Sequence, residues 1–122
     1  MASAQQSGEF SLKIASMIFT PGPANSVLLQ ANCEGTATGF GQVPLTATFV
    51  TGKSGTYSLC GVAYMDNGDI MPFSGEGRHE SSGHHKWRTQ GVNHLPDGRN
   101  LGVEGEIDLA TRTWSGKFSE KS

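Results

Sequence analysis

The feature that most constrains the fold of this chain is an alternation of apolar and polar residues with a period of two. Its clearest instance is residues 101–108, where Leu101, Val103 and Ile107 alternate with Gly, Glu and Asp. No apolar pattern with the helical period extends over about ten residues anywhere in the chain. Because successive side chains on a strand point to opposite faces, the pattern predicts strands with one apolar and one polar face.

Clusters of turn-forming residues cut this pattern into eight segments. Glycine supplies 17 of the 122 residues, about twice its average share, and only 16% of the residues are charged. This composition favours a turn-rich all-β chain over a helical bundle or a coiled coil. The predicted strands lie at about 9–19, 26–38, 42–50, 56–66, 69–80, 84–94, 100–108 and 113–120.

Three of the intervening turns are short enough to predict which residues face each other across a hairpin. Loop length and the position of glycine fix the register, because each turn type joins its two strands in one way. We expect a three-residue turn at 96–98, another at 81–83 and a four-residue loop at 109–112. The predicted facing pairs are Arg88 with Glu106, Trp87 with Ile107, His79 with His85, Glu76 with Arg88, Ile107 with Trp114 and Glu104 with Lys117.

The turn at Asn67-Gly68 allows two registers, which place opposite faces of the preceding strand inside. A two-residue turn points Cys60 and Tyr64 inward, whereas a three-residue bulged turn points Tyr57 inward instead. We favour the two-residue turn, and in either register one tyrosine faces the interior.

Eight consecutive antiparallel strands with one apolar face favour closure, since an open sheet would leave long edges unpaired. We therefore expect an all-β fold, a single antiparallel up-and-down β-barrel of about eight strands, over residues 9–120, after a flexible segment at 1–8. Such a barrel is either just filled by its side chains or holds one small ligand. Five glycines on the predicted inner face would either coil the strands or leave room for a ligand, namely Gly75, Gly77, Gly91, Gly105 and Gly116.

Polar residues on the predicted inner face are the candidates for chemistry. His79 and His85 are predicted neighbours, and an imidazole in an apolar cavity can serve as a general acid or base near neutral pH. Tyr64 and Asn93 would then hydrogen-bond a developing oxyanion. The alternative is that the two histidines lie idle in water at the barrel mouth. The other predicted substrate-binding residues are Phe73, Trp87, Thr89, Val103, Trp114, Phe118 and Cys60.

The hairpin at 79–85 is rich in metal-ligand residues, but its geometry separates them. His79 and His85 point to one face of the predicted ribbon, whereas Glu80 and His84 point to the other. A catalytic zinc site needs three protein ligands, and the strand map supplies no third one. We therefore predict no metal site and no cofactor.

The charge balance and the N-terminal sequence limit which partners and which cellular location we expect. Nine Lys and Arg against eleven Asp and Glu give a formal net charge of -2, which argues against a chain whose main task is to grip nucleic acid or anionic lipid. The N-terminus, MASAQQSGEF, lacks a signal region, and no apolar stretch is long enough to span a bilayer. Cys33 and Cys60 do not form a CxxC motif and are expected to be reduced thiols. We expect a cytoplasmic protein without nucleic-acid or membrane partners, with a homo-oligomer as an open alternative.

The gapless run of hairpins and the stretch VEGEIDLATRTWSGKF at 103–118 resemble the small ligand-holding β-barrels. These are the lipocalin-like (calycin) group and the allene oxide cyclase and dirigent-like group. The GxW signature of true lipocalins is absent, since the corresponding stretch reads GEFSLKIAS. The resemblance implies an apolar cavity for a small hydrophobic molecule, which some relatives carry and others isomerise or cyclise.

Three functions are compatible with this sequence. The first is a cofactor-independent enzyme that isomerises, cyclises, hydrates or dehydrates a small hydrophobic substrate inside the barrel. The second is a carrier that binds such a molecule in the same cavity without turnover. The third is a structural barrel, filled by its own side chains, that acts through its surface in an oligomer.

Overall fold

The computed structural model describes residues 6–121, which form nine strands and one turn of 3₁₀ helix at Pro23–Asn25. None of the described residues forms a helix long and apolar enough to cross a membrane. The strands are β1 (Ser7–Pro21), β2 (Val27–Ala37), β3 (Gly41–Gln42), β4 (Leu45–Val50), β5 (Ser54–Tyr64), β6 (Ile70–Gly83), β7 (Lys86–His94), β8 (Asn100–Asp108) and β9 (Thr113–Lys121).

Eight of these strands close into one antiparallel barrel with up-and-down connections. From β4 to β9 each strand pairs with the next, β9 pairs with β1, β1 with β2, and β2 with β4, while the short β3 bridges β2 and β5. The predicted all-β barrel is therefore confirmed, and the resemblance to lipocalin-like proteins holds at the level of architecture. The strand predicted at 42–50 is interrupted at Val43 and Pro44, and a proline has no N–H to donate to the ladder.

The predicted flexible segment at 1–8 lies partly outside the described residues, which begin at Gln6. Within them, Ser7 and Gly8 already belong to β1 and pair with β9. The loops cluster at the two ends of the barrel. The upper end consists of the loops at 38–40, 65–69 and 95–99, and the lower end consists of the loops at 22–26, 51–53, 84–85 and 109–112.

Two of the three predicted hairpin registers are confirmed. At 96–98 the Leu95 N–H donates to the Arg99 carbonyl over 2.9 Å, and Gly98 adopts a φ of 94° that suits the bulge position. The confirmed pairs are Arg88 with Glu106, Trp87 with Ile107, Ile107 with Trp114 and Glu104 with Lys117.

The register predicted for the turn at 81–83 is wrong. The chain reverses at His84 and His85 instead, and a bulge lies between Ser81 and Gly83. His79 consequently faces Thr89 across the ladder and not His85. The shift covers an even number of residues, so the inner and outer faces of both strands stay as predicted.

The observed register avoids a like-charge pair that the predicted register contains. In the observed register Glu80 lies opposite Arg88, whereas the predicted register would set two cations, Arg78 and Lys86, side by side. The predicted pair of Glu76 with Arg88 is likewise absent, because Glu76 faces Val92.

The register favoured at Asn67-Gly68 is also wrong, and the three-residue bulged turn is the observed one. The Met65 N–H donates to the Asp69 carbonyl over 2.9 Å, and Gly68 takes the bulge position with a φ of 95°. The Asn67 side-chain oxygen accepts the Asp69 N–H over 2.9 Å, which further stabilises this turn. As a result Tyr57 faces the interior, while Tyr64 and Cys60 lie on the outer face.

An aromatic cluster fills the middle of the barrel. Trp114 is almost fully buried, and its ring centroid lies 5.5 Å from those of both Phe49 and Tyr57 and 6.3 Å from that of Phe10. Its indole N–H donates to the hydroxyl of the buried Thr89 over 3.1 Å. Both polar groups are thereby satisfied inside an apolar core.

Candidate functional site

An apolar pocket of about 70 Å³ lies in the upper half of the barrel. Tyr57 and Trp114 form its floor, and strands from every side of the barrel contribute to its wall. Apart from these two residues, Asn93 is the one lining residue with a polar side chain. The apolar lining includes Phe40, Leu59, Met71, Phe73, Leu101, Val103 and Phe118.

The floor is built on two glycines that face each other across β6 and β7. Gly77 lies opposite Gly91, and a Cβ at Gly77 would come within 2.6 Å of the Tyr57 hydroxyl oxygen. A Cβ at Gly91 would collide with the same oxygen. Both glycines therefore make room for the protein's own tyrosine and not for a ligand.

Burial, and in second place the Glu76 carboxylate, raise the pKa of Tyr57 to about 12. The hydroxyl consequently stays protonated across the physiological range. In the gap at Gly77 and Gly91 it can donate a hydrogen bond, but it does not provide a base.

Asn93 provides the pocket with a hydrogen-bonding group. It is half-buried, faces Gly75 across β6 and β7 and Leu101 across β7 and β8, and the space a Cβ would take at Gly75 is filled by its amide oxygen. An amide offers both an acceptor and two donated hydrogens. Asn93 can therefore bind a polar group carried by an otherwise apolar molecule.

Phe40 covers the pocket from the upper end, and the sequence reasoning missed it. Phe40 is buried although it lies in the loop after β2, and its ring packs edge-on against Phe118 with centroids 5.6 Å apart. Gly39 and Gly41 on either side have φ values of 77° and 74°, so the loop can fold this side chain back into the barrel. The signal was a single phenylalanine between two glycines in an otherwise polar turn.

His79 does not reach this pocket. It is buried in the lower half, where its Nε2 lies 2.7 Å from the Val50 carbonyl oxygen and its ring packs edge-on against Phe49. Because a carbonyl only accepts hydrogen bonds, Nε2 carries the proton and Nδ1 is left as the acceptor when the ring is neutral.

The remaining catalytic candidates are scattered. His85 lies in the exposed lower turn with a φ of 61°, and Tyr64 is 49% exposed on the outer wall. Both predictions of an inward side chain are wrong, the first because the turn lies two residues further along and the second because of the bulge at Gly68. Of the four candidates only Asn93 lines the pocket, so catalysis by this set stays a prediction.

The predicted substrate-binding residues divide in the same way. Phe73, Val103, Trp114 and Phe118 line the pocket. Thr89 is buried beneath it, and Trp87 lies at the lower end, where its indole N–H donates to the Gly52 carbonyl over 3.0 Å. Cys60 is exposed on the outer face, so its predicted place inside the barrel is wrong.

Comparison with known proteins identifies no relative: the chain matches no protein-family model, no curated protein and no solved structure. Within residues 6–121, no three His, Cys, Asp or Glu side chains are grouped so as to hold a metal ion.

On the outer wall, His94 forms hydrogen bonds with Glu76 and Asn100. His94 Nε2 is 2.6 Å from a Glu76 carboxylate oxygen, and its Nδ1 is 2.8 Å from the Asn100 side-chain oxygen. Hydrogen bonds that the His94 ring donates to these two oxygens, first to Glu76 and then to Asn100, raise the pKa of His94 above its usual value.

We expect Glu76→Gln to lower the pKa of His94 in an NMR titration of the ring protons. A raised pKa in the folded state stabilises the fold fully below the pKa of the unfolded chain, about 6.5, and this contribution is lost as the pH rises through the folded pKa. Glu106→Gln, on another strand of the same surface, is the control and should leave the His94 titration in place. An unchanged His94 midpoint in Glu76→Gln would show that the carboxylate does not hold the imidazolium.

Proposed function

We propose that this barrel binds a small apolar molecule, or the apolar end of a larger one, in its upper pocket and does not transform it. The observation that carries the proposal is a formed pocket with apolar walls and one amide side chain, that of Asn93. This combination is typical of small-molecule sites, where apolar contacts supply affinity and a few polar groups fix orientation.

The volume of the pocket limits the ligand. At about 70 Å³ it is roughly half of the ~150 Å³ cavity that accepts benzene, and well below the ~300–1,000 Å³ of drug-sized sites. Phe40, Met71 and Phe73 lie at its upper end, and the last two are only half-buried. Entry of a ring or a short alkyl chain therefore needs small movements of these side chains, and any larger part of the ligand stays outside.

Binding without turnover is favoured by the chemistry of the lining. General acid–base catalysis at neutral pH needs a group that titrates in that range. Tyr57, with its pKa of about 12, is the one residue with an ionisable side chain among those that line the pocket. His79, which was predicted to move the proton, lies in the opposite half of the barrel with its Nε2 committed to a backbone carbonyl.

Ala37→Leu is expected to weaken the binding of benzene at least about tenfold, because the three added carbon atoms project into the pocket from its wall. Saturation-transfer NMR with benzene as the probe measures this, and we expect an affinity for the native chain no tighter than about micromolar.

Ala15→Leu is the matched control, because it adds the same atoms at an exposed position on β1 outside the barrel. It should bind benzene as the native chain does. Equal binding by Ala37→Leu, or no binding by the native chain, would contradict the proposed pocket and favour a barrel filled by its own side chains.

A further inference from the structure

At the lower end of the barrel, β1 and β2 continue past the last pair of β1 with β9, while β2 stays paired with β4 from Leu28 to Cys33. We call residues 16–31, the end of β1 and the beginning of β2 with the turn between them, the arm. The pairing of β1 with β9 ends at Lys13 and Thr113, and a bulge follows between Ile14 and Ser16. Among the described residues, no strand pairs with the other edge of residues 16–21.

Apolar side chains are exposed on both faces of the arm. Phe19 and Val27 lie on the side that continues the barrel interior and are 60% and 43% exposed. Ile18, on the opposite side, is 50% exposed. All the residues from 14 to 33 are uncharged.

Sheet edges in monomeric proteins are usually protected. Lysines, inward charges or prolines along the strand discourage a second edge from pairing with it. Here the bulge between Ile14 and Ser16 and the proline at Pro21 lie at the two ends of the edge, and residues 16–20 between them carry neither a charge nor a proline. An open, uncharged edge with exposed apolar side chains is built to accept another strand.

We propose that this edge pairs with the same edge of a second copy of the chain, antiparallel, to give a two-fold symmetric dimer. An antiparallel edge is complementary to itself, so each copy supplies the partner that the other lacks, and the assembly closes at two. Because the arm is uncharged, no like charges face each other when Ile18 of one copy lies opposite Ile18 of the other. Lys13 lies outside the paired segment.

The buried area predicts a weak dimer. A phenylalanine presents about 200 Å², so Phe19 at 60% exposure offers on the order of 120 Å². With Ile18, which is 50% exposed, and the paired backbones, the total stays below the ~1,000 Å² of a stable specific interface, as in weak and transient complexes. A lipid surface is a poorer occupant, since lipid chains cannot satisfy the open backbone groups.

Sedimentation velocity of the full chain across the micromolar range tests this dimer. We expect a reversible monomer–dimer equilibrium, which Ile18→Lys and Phe19→Lys each weaken at least about tenfold. Both side chains are exposed, so thermal unfolding of the variants should stay near that of the native chain. Ile70→Lys is the matched control, because Ile70 is 66% exposed at the upper end, and it should dimerise as the native chain does.

A monomer at every concentration would overturn the proposal. So would an Ile70→Lys variant that loses the dimer as completely as the arm variants, or an arm that binds phosphatidylcholine vesicles while the chain stays monomeric. The ligand pocket lies at the other end of the barrel, so none of these results bears on the proposed function.

Discussion

Trp114→Ala is expected to lower the free energy of unfolding by about 3–5 kcal/mol, the largest effect of any single substitution considered for this barrel. Trp114 is 2% exposed and contacts Phe10, Phe49 and Tyr57, which come from three other strands. Its removal leaves a hole in the middle of the barrel that rigid sheet walls cannot close. It also leaves the buried Thr89 hydroxyl without its indole partner, which adds to the loss.

Urea unfolding followed by circular dichroism measures this loss. Domains of this size have unfolding free energies of about 5–15 kcal/mol, so Trp114→Ala should lie near the limit of folding, and Trp114→Phe serves as a milder second variant. Trp87→Ala is the control, because Trp87 is only half-buried at the lower end, and it should cost clearly less. A Trp114→Ala variant as stable as Trp87→Ala would contradict the central place given to the Trp114 ring.

Gly91→Ala is expected to cost about 1–3 kcal/mol, although the added group is a single methyl. In the middle of a strand, alanine is ordinarily better than glycine by roughly 0.5–1 kcal/mol, so the expected sign is reversed here. The reason is that the new Cβ would collide with the Tyr57 hydroxyl and crowd the Glu76 carbonyl across the ladder.

Gly102→Ala is the matched control on the neighbouring strand. Its Cβ would meet only the flexible Lys121 side chain, at an ordinary 3.5 Å, so it should be neutral or stabilising. In the double variant Tyr57→Phe, Gly91→Ala, the hydroxyl is gone and the combined loss should be smaller than the sum of the single losses. Strict additivity of the two losses of stability, or a Gly91→Ala variant as stable as Gly102→Ala, would show that Gly91 is not needed to accommodate the Tyr57 hydroxyl.

The barrel and most of its faces could be predicted because strand alternation is a local property. The turns at 96–98 and 109–112 could be predicted as well, because the position of glycine or the length of the loop allows only one register there. The turn at 81–83 was misplaced because the sequence SSGHH can reverse at either of two points. What separates them is the residue opposite Arg78 on β7, which is Lys86 in the predicted register and Gln90 in the observed one.

The interior was harder to predict than the strands. Whether Tyr57 or Tyr64 points inward depends on the gap at Gly77 and Gly91, two positions that meet only when β6 and β7 pair. The turn at Asn67-Gly68 is compatible with both choices. The inner glycines were recognised, but at Gly77 and Gly91 their space is occupied by a tyrosine, and at Gly75 by the Asn93 amide.

Part of the candidate site could be predicted from the sequence. Phe73, Val103, Trp114 and Phe118 follow from the alternation alone and do line the pocket. Phe40 does not belong to a strand, so no periodicity could place it inside. The predicted pair of His79 and His85 depended on one register, and a shift of that hairpin was sufficient to separate the two rings.

A crystal structure of the native chain under xenon pressure tests the proposed pocket most directly. Xenon enters dry apolar cavities without needing a polar partner. We predict a xenon peak in the upper half of the barrel, above Tyr57 and Trp114 and beneath Phe40, and its loss in Ala37→Leu. An upper half without xenon, with the rings of Phe40 and Phe118 closed over a filled interior, would contradict the proposal that this barrel binds an apolar ligand.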